Sequence, residues 1–392
     1  MWHELLHGVI PGRLMESDDD SHPSEPTWQI EVHPQILGTH QWSFFAGFAQ
    51  LVGTQRVSLR FRTLRPTQGM WLLTTRVTHV PSRTVKVIGW EMGDAGALDS
   101  WHARHADAIV KRGYDPDNSS EFEAAAGDVV PLGLTLGVRS PGSNRLAMRS
   151  TLHLARHRAL VRDVGFKSVA SSMATVARTA VADITGRHDQ LVQESESSLV
   201  QLGERYCDLD DPYVTFLVRA WDPQSMNPHL ADNLREVTSE RARLIRRLRS
   251  ELGPRFVGGF VPSDYVARTF EDCIADVPTR RPDFLEQVTR GGVAISTVGV
   301  AGSNPWKLAE YAALGSAIIS EPLQQRLPVP LVEDQNVVWF RTTDQCVEQC
   351  RRVLDDADLR QRLRSGSRSY WASECQPATL IENRLADVFG LT

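Results

Sequence analysis

The sequence predicts an α/β fold in which two Rossmann-like domains face a cleft. At 392 residues the chain is too long for one comfortable core and suits two domains of ordinary size. Patterns typical of β-strands and of helices alternate along it twice, once before residue 142 and again after residue 207. Strand–helix alternation at this spacing predicts two mainly parallel sheets with helices on both faces.

The first alternation starts after an acidic segment, 15–26, that is rich in Ser and Pro and is typical of a mobile loop. Apolar residues at helical spacing predict a helix over 41–51, and a second helix is expected to end near residue 106. Strands are predicted at 28–33, 57–64, 71–78, 84–90, 108–110 and 129–136.

Residues 143–206 show a helical period and no strand candidate, so we interpret them as a helical connector or an insertion. The second alternation then predicts helices at 228–252, at 305–314 and from 343 onward. Its strands are predicted at 213–220, 255–261, 292–300, 317–320 and 337–340. The predicted division is an extension 1–26, domains 27–142 and 207–370 joined by 143–206, and a closing helix 371–392.

Composition excludes several classes of protein. Hydrophobic residues make up 41% and charged residues 23%, which is typical of soluble globular proteins. The sequence has no run of 18 apolar residues and no signal-peptide pattern, so we expect neither a membrane span nor secretion. Five scattered cysteines favour a reducing cytoplasm over a disulfide framework. A net charge of −5 gives no strong signal for nucleic-acid binding.

The segment 298–321, VGVAGSNPWKLAEYAALGSAIISE, predicts a strand, a small polar turn, a helix and another strand. Ser303 or Asn304 suits the helix N-cap, Pro305 its first position, and Gly315 the position just past its end. A capped helix start at the mouth of a parallel sheet presents free amides and a positive dipole end. We therefore expect an anion here, and phosphate is the common occupant.

Two charged residues of this helix point to a nucleotide. Lys307 and Glu310 lie three residues apart and share a helix face. A lysine adds positive charge beside a diphosphate, and the two oxygens of a carboxylate suit the two hydroxyls of a ribose. The alternative interpretation is an ordinary surface ion pair.

The pattern K-L-A-E-Y-x-A-L-G-S-A-I-I resembles the donor-binding motif of GT-B glycosyltransferases, especially the retaining group-1 enzymes. The resemblance implies that Glu310 binds the ribose of a nucleotide-sugar donor. It further implies that Gly302, Ser303 and Asn304 approach the diphosphate or the donor sugar, and that Arg219 neutralises the diphosphate.

The motif-level resemblance covers about residues 213–390, whereas 27–140 resemble the family only in topology. It implies transfer of a sugar from a nucleotide-diphosphate donor to a glycan, a lipid-linked, a protein or a small-molecule acceptor. The nucleotide sugar is then a co-substrate, with no metal and no other cofactor needed, and the last helix crosses back onto the N-terminal domain. Two departures stand out: Gly302 occupies the place of a second glutamate, and no lysine lies between Arg219 and Lys307.

Members of this family place acceptor binding and any catalytic base in the N-terminal domain. His40, at a predicted helix start, and Glu91 and Asp94, after a predicted strand, are the candidates here. Each has an ordinary alternative, since a histidine can simply face solvent and an acid can cap the next helix. His102 and His105 are expected on the surface.

Other signals point elsewhere. The run His3–His7 matches H-E-x-x-H, so a zinc hydrolase is a remote alternative. A sugar-nucleotide-binding or scaffold protein with a decayed active site is another, favoured by the missing second glutamate. Cys346 and Cys350 share a helix face, and we interpret them as a buried, inert pair. Arginines between 241 and 249 predict a basic helix surface that is usually solvated, with contact to a phosphorylated or lipid-linked acceptor as the alternative.

Overall fold

In a computed structural model, the chain forms two large β-sheets, each packed against helices, which confirms the predicted α/β class. Each sheet has its own apolar core, and a further core group joins residues of both halves. The structure describes residues 25–35, 41–65, 71–93, 97–117, 120, 122–140, 142–157, 160–162, 165, 167–171, 173–174, 197–198, 202, 211–224 and 228–391.

The N-terminal sheet has six strands in the order β2-β1-β3-β4-β5-β6. All neighbours are parallel except β3, which is antiparallel to both β1 and β4. Residues 80–83 alone join β3 to β4, and a connection that short permits only a hairpin. The strands are β1 (Trp28–Val32), β2 (Val57–Phe61), β3 (Leu72–His79), β4 (Thr84–Glu91), β5 (Ala108–Lys111) and β6 (Asp128–Pro131).

Helices α1 (Gln41–Gly53), α2 (His102–His105) and α3 (Ser143–Arg156) accompany this sheet. Helix α3 agrees with the helical interpretation of the connector. One expectation was wrong: β8 (Ser197–Ser198) lies inside the connector and pairs with β7 (Val138–Arg139). A strand of two residues is too short to show the alternation from which strands are predicted.

The C-terminal sheet is parallel throughout, in the order β10-β9-β11-β12-β13. Its strands are almost wholly buried, as expected when helices cover both faces. The order of connections reverses between β9 and β11, and ligands of open α/β sheets bind at such a switch point, beyond the carboxyl ends of the strands. The strands are β9 (Tyr213–Val218), β10 (Phe256–Phe260), β11 (Gly292–Ser296), β12 (Ala317–Ser320) and β13 (Val338–Trp339).

Seven helices follow β9, with α4 and α8 packed on one face of the C-terminal sheet and α6 and α7 on the other. None of the helices in the described ranges is long and apolar enough to cross a membrane. The helices are α4 (Ala231–Leu252), α5 (Asp264–Thr269), α6 (Arg281–Gly291), α7 (Lys307–Ala313), α8 (Thr343–Asp355), α9 (Ala357–Tyr370) and α10 (Pro377–Phe389).

Helix α10 leaves the C-terminal half and packs against α1 of the N-terminal half. Leu380, Ile381 and Leu385 are buried in the N-terminal core. At the end of the helix, Lys86 Nζ donates to the carbonyl of Val388 at 2.7 Å. The chain therefore ties its two halves together a second time, although the exact domain boundaries stay a prediction.

The halves also meet where β5 ends. Arg112 Nη2 donates to the carbonyl of Asn304 at 2.9 Å, across the two halves. The Arg326 amide donates to the Tyr114 carbonyl at 2.9 Å, and its guanidinium pairs with Asp117. The loops after β5, β11 and β12 are thus in direct contact.

Substituting Gly47→Ala should destabilise the chain, although alanine favours a helix interior by about 1 kcal/mol. A Cβ at Gly47 would lie 2.5 Å from the Pro377 carbonyl oxygen and 2.6 Å from Ile381 Cδ1, at the α1–α10 contact. Overpacking of this kind costs ~1–3 kcal/mol. Thermal melting of Gly53→Ala is the matched control, since nothing lies within 4 Å of a Cβ there at the end of the same helix. Equal melting temperatures for the two variants would contradict the α10 packing.

Candidate functional site

The start of α7 differs from its prediction. The helix begins at Lys307 and no side chain caps it, so the predicted cap by Ser303 or Asn304 is wrong. Pro305 lies two residues before the helix rather than in its first position. Gly315, with φ of 63°, follows the helix end as expected.

The turn before α7 is closed by its own hydrogen bonds. The Asn304 amide donates to Gln325 Oε1 at 3.1 Å, and its side-chain amide donates to the Gln325 carbonyl at 3.0 Å. The Ser303 amide donates to the Val300 carbonyl at 3.2 Å. These amides are therefore engaged within the protein, which corrects the expectation that they stand free for a phosphate.

Gly302 lies in the same turn with φ of 72°, a left-handed conformation that favours glycine. A Cβ built there would lie 2.0 Å from Gln324 Oε1. The backbone itself thus explains why no glutamate stands at this position.

Lys307 turns inward toward the sheet. Its Nζ donates to the carbonyl of Leu217, near the carboxyl end of β9, and lies 4.2 Å from the centre of the Phe284 ring. An ammonium over an aromatic face gains some electrostatic stabilisation. The predicted cation thus reaches the switch point between β9 and β11.

Several other charges surround Lys307. Burial lowers its pKa to about 7, and the positive charges of Arg281, Arg241 and Arg219 lower it further, while Glu310 opposes them. Four basic side chains therefore gather around Glu310, and a second carboxylate, that of Glu321, acts on Arg241. Such a cluster has an excess of positive charge that an anionic ligand would balance.

Glu310 is only 2% exposed and pairs with Arg281, the first residue of α6. Sequence reasoning missed Arg281. The available signal was the proline at residue 282, since proline marks the start of a helix. Helix α6 follows β10, so its start lies at the carboxyl edge of the sheet, close to that of α7.

Arg219 is exposed and follows directly on β9, where it was predicted. Arg241 reaches the same edge from α4: its Nη1 donates to the Arg219 carbonyl at 3.1 Å, its Nη2 to the Val298 carbonyl at 3.2 Å, and its Nε to Thr297 Oγ1 at 3.0 Å. Burial lowers the pKa of Arg241 to about 10, and the charge of Glu321 opposes that effect. The sequence placed Arg241 on a solvated surface, and this was wrong.

Three further arginines of α4 are balanced by neighbouring acids, as expected for a solvated basic surface, whereas Arg249 donates to the carbonyls of Gly258 and Ile274. The pairs are Arg243 with Glu240, Arg246 with Asp272, and Arg247 with Asp344 and Glu251.

Four buried hydroxyl or amide oxygens near α7 have no hydrogen-bond partner among the described residues. They are Ser296 Oγ, Asn304 Oδ1, Tyr311 Oη and Ser316 Oγ, in residues that are at most 5% exposed. Buried polar atoms are rarely left unpaired, so each calls for a partner such as a ligand or an ordered water. Ser296 ends β11 and Asn304 lies in the turn before α7, so these two unpaired oxygens lie at the sheet edge that also carries Lys307.

In the N-terminal half, Glu91 belongs to a buried network at the end of β4. One carboxylate oxygen accepts from His102 Nδ1 and from the Asp99 amide, both at 3.0 Å, and the other from Lys111 Nζ at 3.2 Å. Burial alone would raise the pKa of Glu91, but the His102 hydrogen bond and the Lys111 charge hold it below its usual range.

This network changes two expectations. Glu91 is 1% exposed, so it anchors the sheet edge instead of meeting an acceptor hydroxyl, which departs from its predicted role as a base. His102 is completely buried and also bonds Thr74 Oγ1 at 2.8 Å, so its expected surface position is wrong. His105 is exposed, as expected.

The other N-terminal candidates, His40 and Asp94, lie outside the described residues, and so does the motif His3–His7. Within the described part of the chain, no group of three metal-ligating side chains is arranged to hold an ion. Cys346 and Cys350 are fully buried in the C-terminal core, and burial raises the pKa of the Cys346 thiol, which confirms that the pair is buried.

Solved structures that resemble this chain are glycosyltransferases. An alpha-glucosyltransferase (AGT) in complex with UDP is 10% identical, with 91% of this chain and 98% of its own covered and a TM-score of 0.39. TarM is 8% identical, with coverage of 81% and 64% and a TM-score of 0.31. The C-terminal domain of a group 1 family glycosyl transferase (LpcC) from Francisella tularensis is 13% identical, with coverage of 45% and 88% and a TM-score of 0.24. No family model and no curated protein matches the sequence. At these identities and TM-scores, activity has to be derived from the site itself.

The low pKa of Lys307 should show in the pH dependence of stability. Its proton leaves near pH 7 in the folded chain but near pH 10.5 in the unfolded chain. Between these values the unfolded state binds more protons, so the free energy of unfolding rises with pH. Relative to Lys307→Met, the wild type should gain ~2 kcal/mol from pH 6 to pH 9, a discounted figure because Lys307 keeps some solvent exposure.

Thermal or urea unfolding of both proteins at the two pH values measures this difference. Titration of all other groups cancels between wild type and variant. A stability difference that is independent of pH would show that Lys307 stays protonated.

Proposed function

We propose that this chain is a glycosyltransferase that takes its sugar from a nucleoside-diphosphate donor held at the carboxyl edge of the C-terminal sheet. The observation that carries the proposal is the cation cluster. Lys307, Arg219, Arg241 and Arg281 converge there, beside the buried carboxylate of Glu310. Buried cations without matching anions are costly, and a diphosphate supplies the missing negative charge.

The nucleotide fits the cluster in the following way. The diphosphate lies against Arg219 and Lys307 at the end of β9, where the switch point opens. Ribose hydroxyls then donate to Glu310, whose two oxygens can accept from both. Since Glu310 pairs with Arg281 in the structure, binding requires that guanidinium to turn from the carboxylate to the phosphates. The exchange conserves the charge balance of both groups.

Catalysis in this proposal rests on positioning and on stabilising the departing diphosphate. Negative charge develops on the leaving diphosphate as the glycosidic bond to it breaks, and fixed cations at that point stabilise the transition state. The bound diphosphate also acts on Lys307, because a neighbouring anion raises the pKa of a lysine and keeps its ammonium charged. The acceptor approaches from the N-terminal half, whose loop after β5 contacts Asn304.

A second candidate is a sugar-nucleotide-binding protein without turnover. Gly302, in its left-handed conformation, leaves no acidic side chain at the position where the resembled family carries one. Incubation with UDP-glucose, GDP-mannose and related donors separates the two functions. Release of free nucleoside diphosphate supports the transferase, and binding without any release supports the non-catalytic protein.

Nucleotide binding itself gives a direct test of the site. In a thermal-shift screen with UDP, GDP, ADP, TDP and CMP, one diphosphate at 100 times its dissociation constant should add ~2.7 kcal/mol of stability. Glu310→Gln and Arg219→Ala should each reduce that shift strongly, because they remove the ribose acceptor or a phosphate cation. Gln is chosen at 310 since it preserves side-chain volume next to Arg281.

The matched control is Arg290→Ala, which removes an exposed arginine at the far end of α6. It should leave the nucleotide shift unchanged. An unchanged shift in both site variants, or an equal loss in the control, would overturn this assignment.

A further inference from the structure

A polar cavity of about 540 Å³ lies beside the proposed nucleotide site and holds neither the ribose nor the diphosphate in that proposal. It opens between the first turns of α4, the loop after β11, and the residues that follow β12 and β13. This volume is within the range of small-molecule sites in proteins. The cavity lies on the face of the sheet that carries α4 and α8, whereas Lys307 and Glu310 lie on α7 at the opposite face.

Glu321 is a partly buried carboxylate in the wall of this cavity. It follows β12, and its Oε2 accepts the Val298 amide at 2.7 Å. Its other oxygen has no hydrogen-bond partner within the described ranges of the chain. Burial raises the pKa of Glu321, while the Val298 hydrogen bond and the charge of Arg241 oppose that rise. A carboxylate at a cavity wall with only one oxygen engaged can accept a hydrogen bond from a ligand through the other.

The remaining walls also favour a ligand with many hydroxyls. Arg241 is held rigidly by its three hydrogen bonds and lines the cavity next to Thr297. Gln324 contributes an amide at the rim, and the glycine at 302 keeps the wall open there. Carboxylate, amide and guanidinium groups match hydroxyls that can each donate and accept, as in a sugar.

Arg241 joins this cavity to the cation cluster. It lines the cavity, and its charge also acts on Lys307. A diphosphate at the cluster therefore lies near Arg241, which brings the cavity within reach of the group attached to its outer phosphate. The geometry points to this cavity as the site of the donor's sugar, with Glu321 as the carboxylate that accepts from the sugar hydroxyls. This inference rests on the proposed function and assigns the sugar half of the same donor.

Isothermal titration with a nucleoside diphosphate and its sugar conjugates tests the inference. The probes are UDP with UDP-glucose, UDP-galactose and UDP-N-acetylglucosamine, and GDP with GDP-mannose. Glu321→Gln keeps an acceptor for the Val298 amide but removes the charge. It should weaken the best-bound sugar conjugate about tenfold, since hydrogen bonds to charged groups are the stronger ones, and change the parent diphosphate less than about twofold.

Two further variants make the result decisive. Gln324→Ala removes an exposed side chain at the rim, so it leaves the fold intact and should weaken the same sugar conjugate selectively. Asp232→Asn, an almost fully exposed position on α4 outside the cavity, should change neither affinity.

The outcomes separate the two proposals. If wild type binds a nucleoside diphosphate and neither cavity variant alters the affinity of its sugar conjugate, the sugar assignment is overturned and the nucleotide site stands. If wild type binds none of the nucleotides or conjugates, the proposed function fails and this inference fails with it.

Discussion

Burying positive charge at the edge of a sheet costs free energy unless an anion shares the site. The C-terminal half buries such a charge at Lys307, whose ammonium lies against Phe284 and is surrounded by three arginines. Glu310 offsets part of that charge and is itself held by Arg281. The positive charge of the cluster thus exceeds the negative charge beside it, and the proposed nucleotide site depends on this imbalance.

The fold explains how these side chains meet. Strand order in the C-terminal sheet brings the carboxyl ends of β9 and β11 together at the switch point. Helices α6 and α7 begin at that edge and α4 meets it near its middle, so Arg281, Lys307 and Arg241 converge from three different elements. The N-terminal half lies against this edge, because Arg112 donates to the carbonyl of Asn304 and α10 packs on α1. A nucleotide in the cluster would therefore lie next to the groove between the halves.

The sequence predicted the two-sheet α/β fold and most of its strands, because buried parallel strands and amphipathic helices carry strong periodic signals. The resemblance implied that Arg219 and Glu310 serve one donor site, and in the structure the charges of both act on Lys307. The predictions from sequence were wrong where contacts between residues distant in the chain determine the position of a side chain. Asn304 bonds Gln325 across the sheet edge instead of capping α7, and Arg241 is half-buried because it binds strand-end carbonyls. His102 is buried because Glu91 and Thr74 bond it from two neighbouring strands, which helical periodicity cannot reveal.

A crystal structure of the chain with bound UDP, or with whichever diphosphate binds most tightly, would show whether a phosphate supplies the anion that the cluster lacks. We expect phosphate oxygens within about 4 Å of the Arg219 guanidinium and Lys307 Nζ, a ribose on Glu310, and Arg281 turned toward the phosphates. A nucleotide bound elsewhere, with Arg281 still paired to Glu310 and no anion at the cluster, would contradict this expectation.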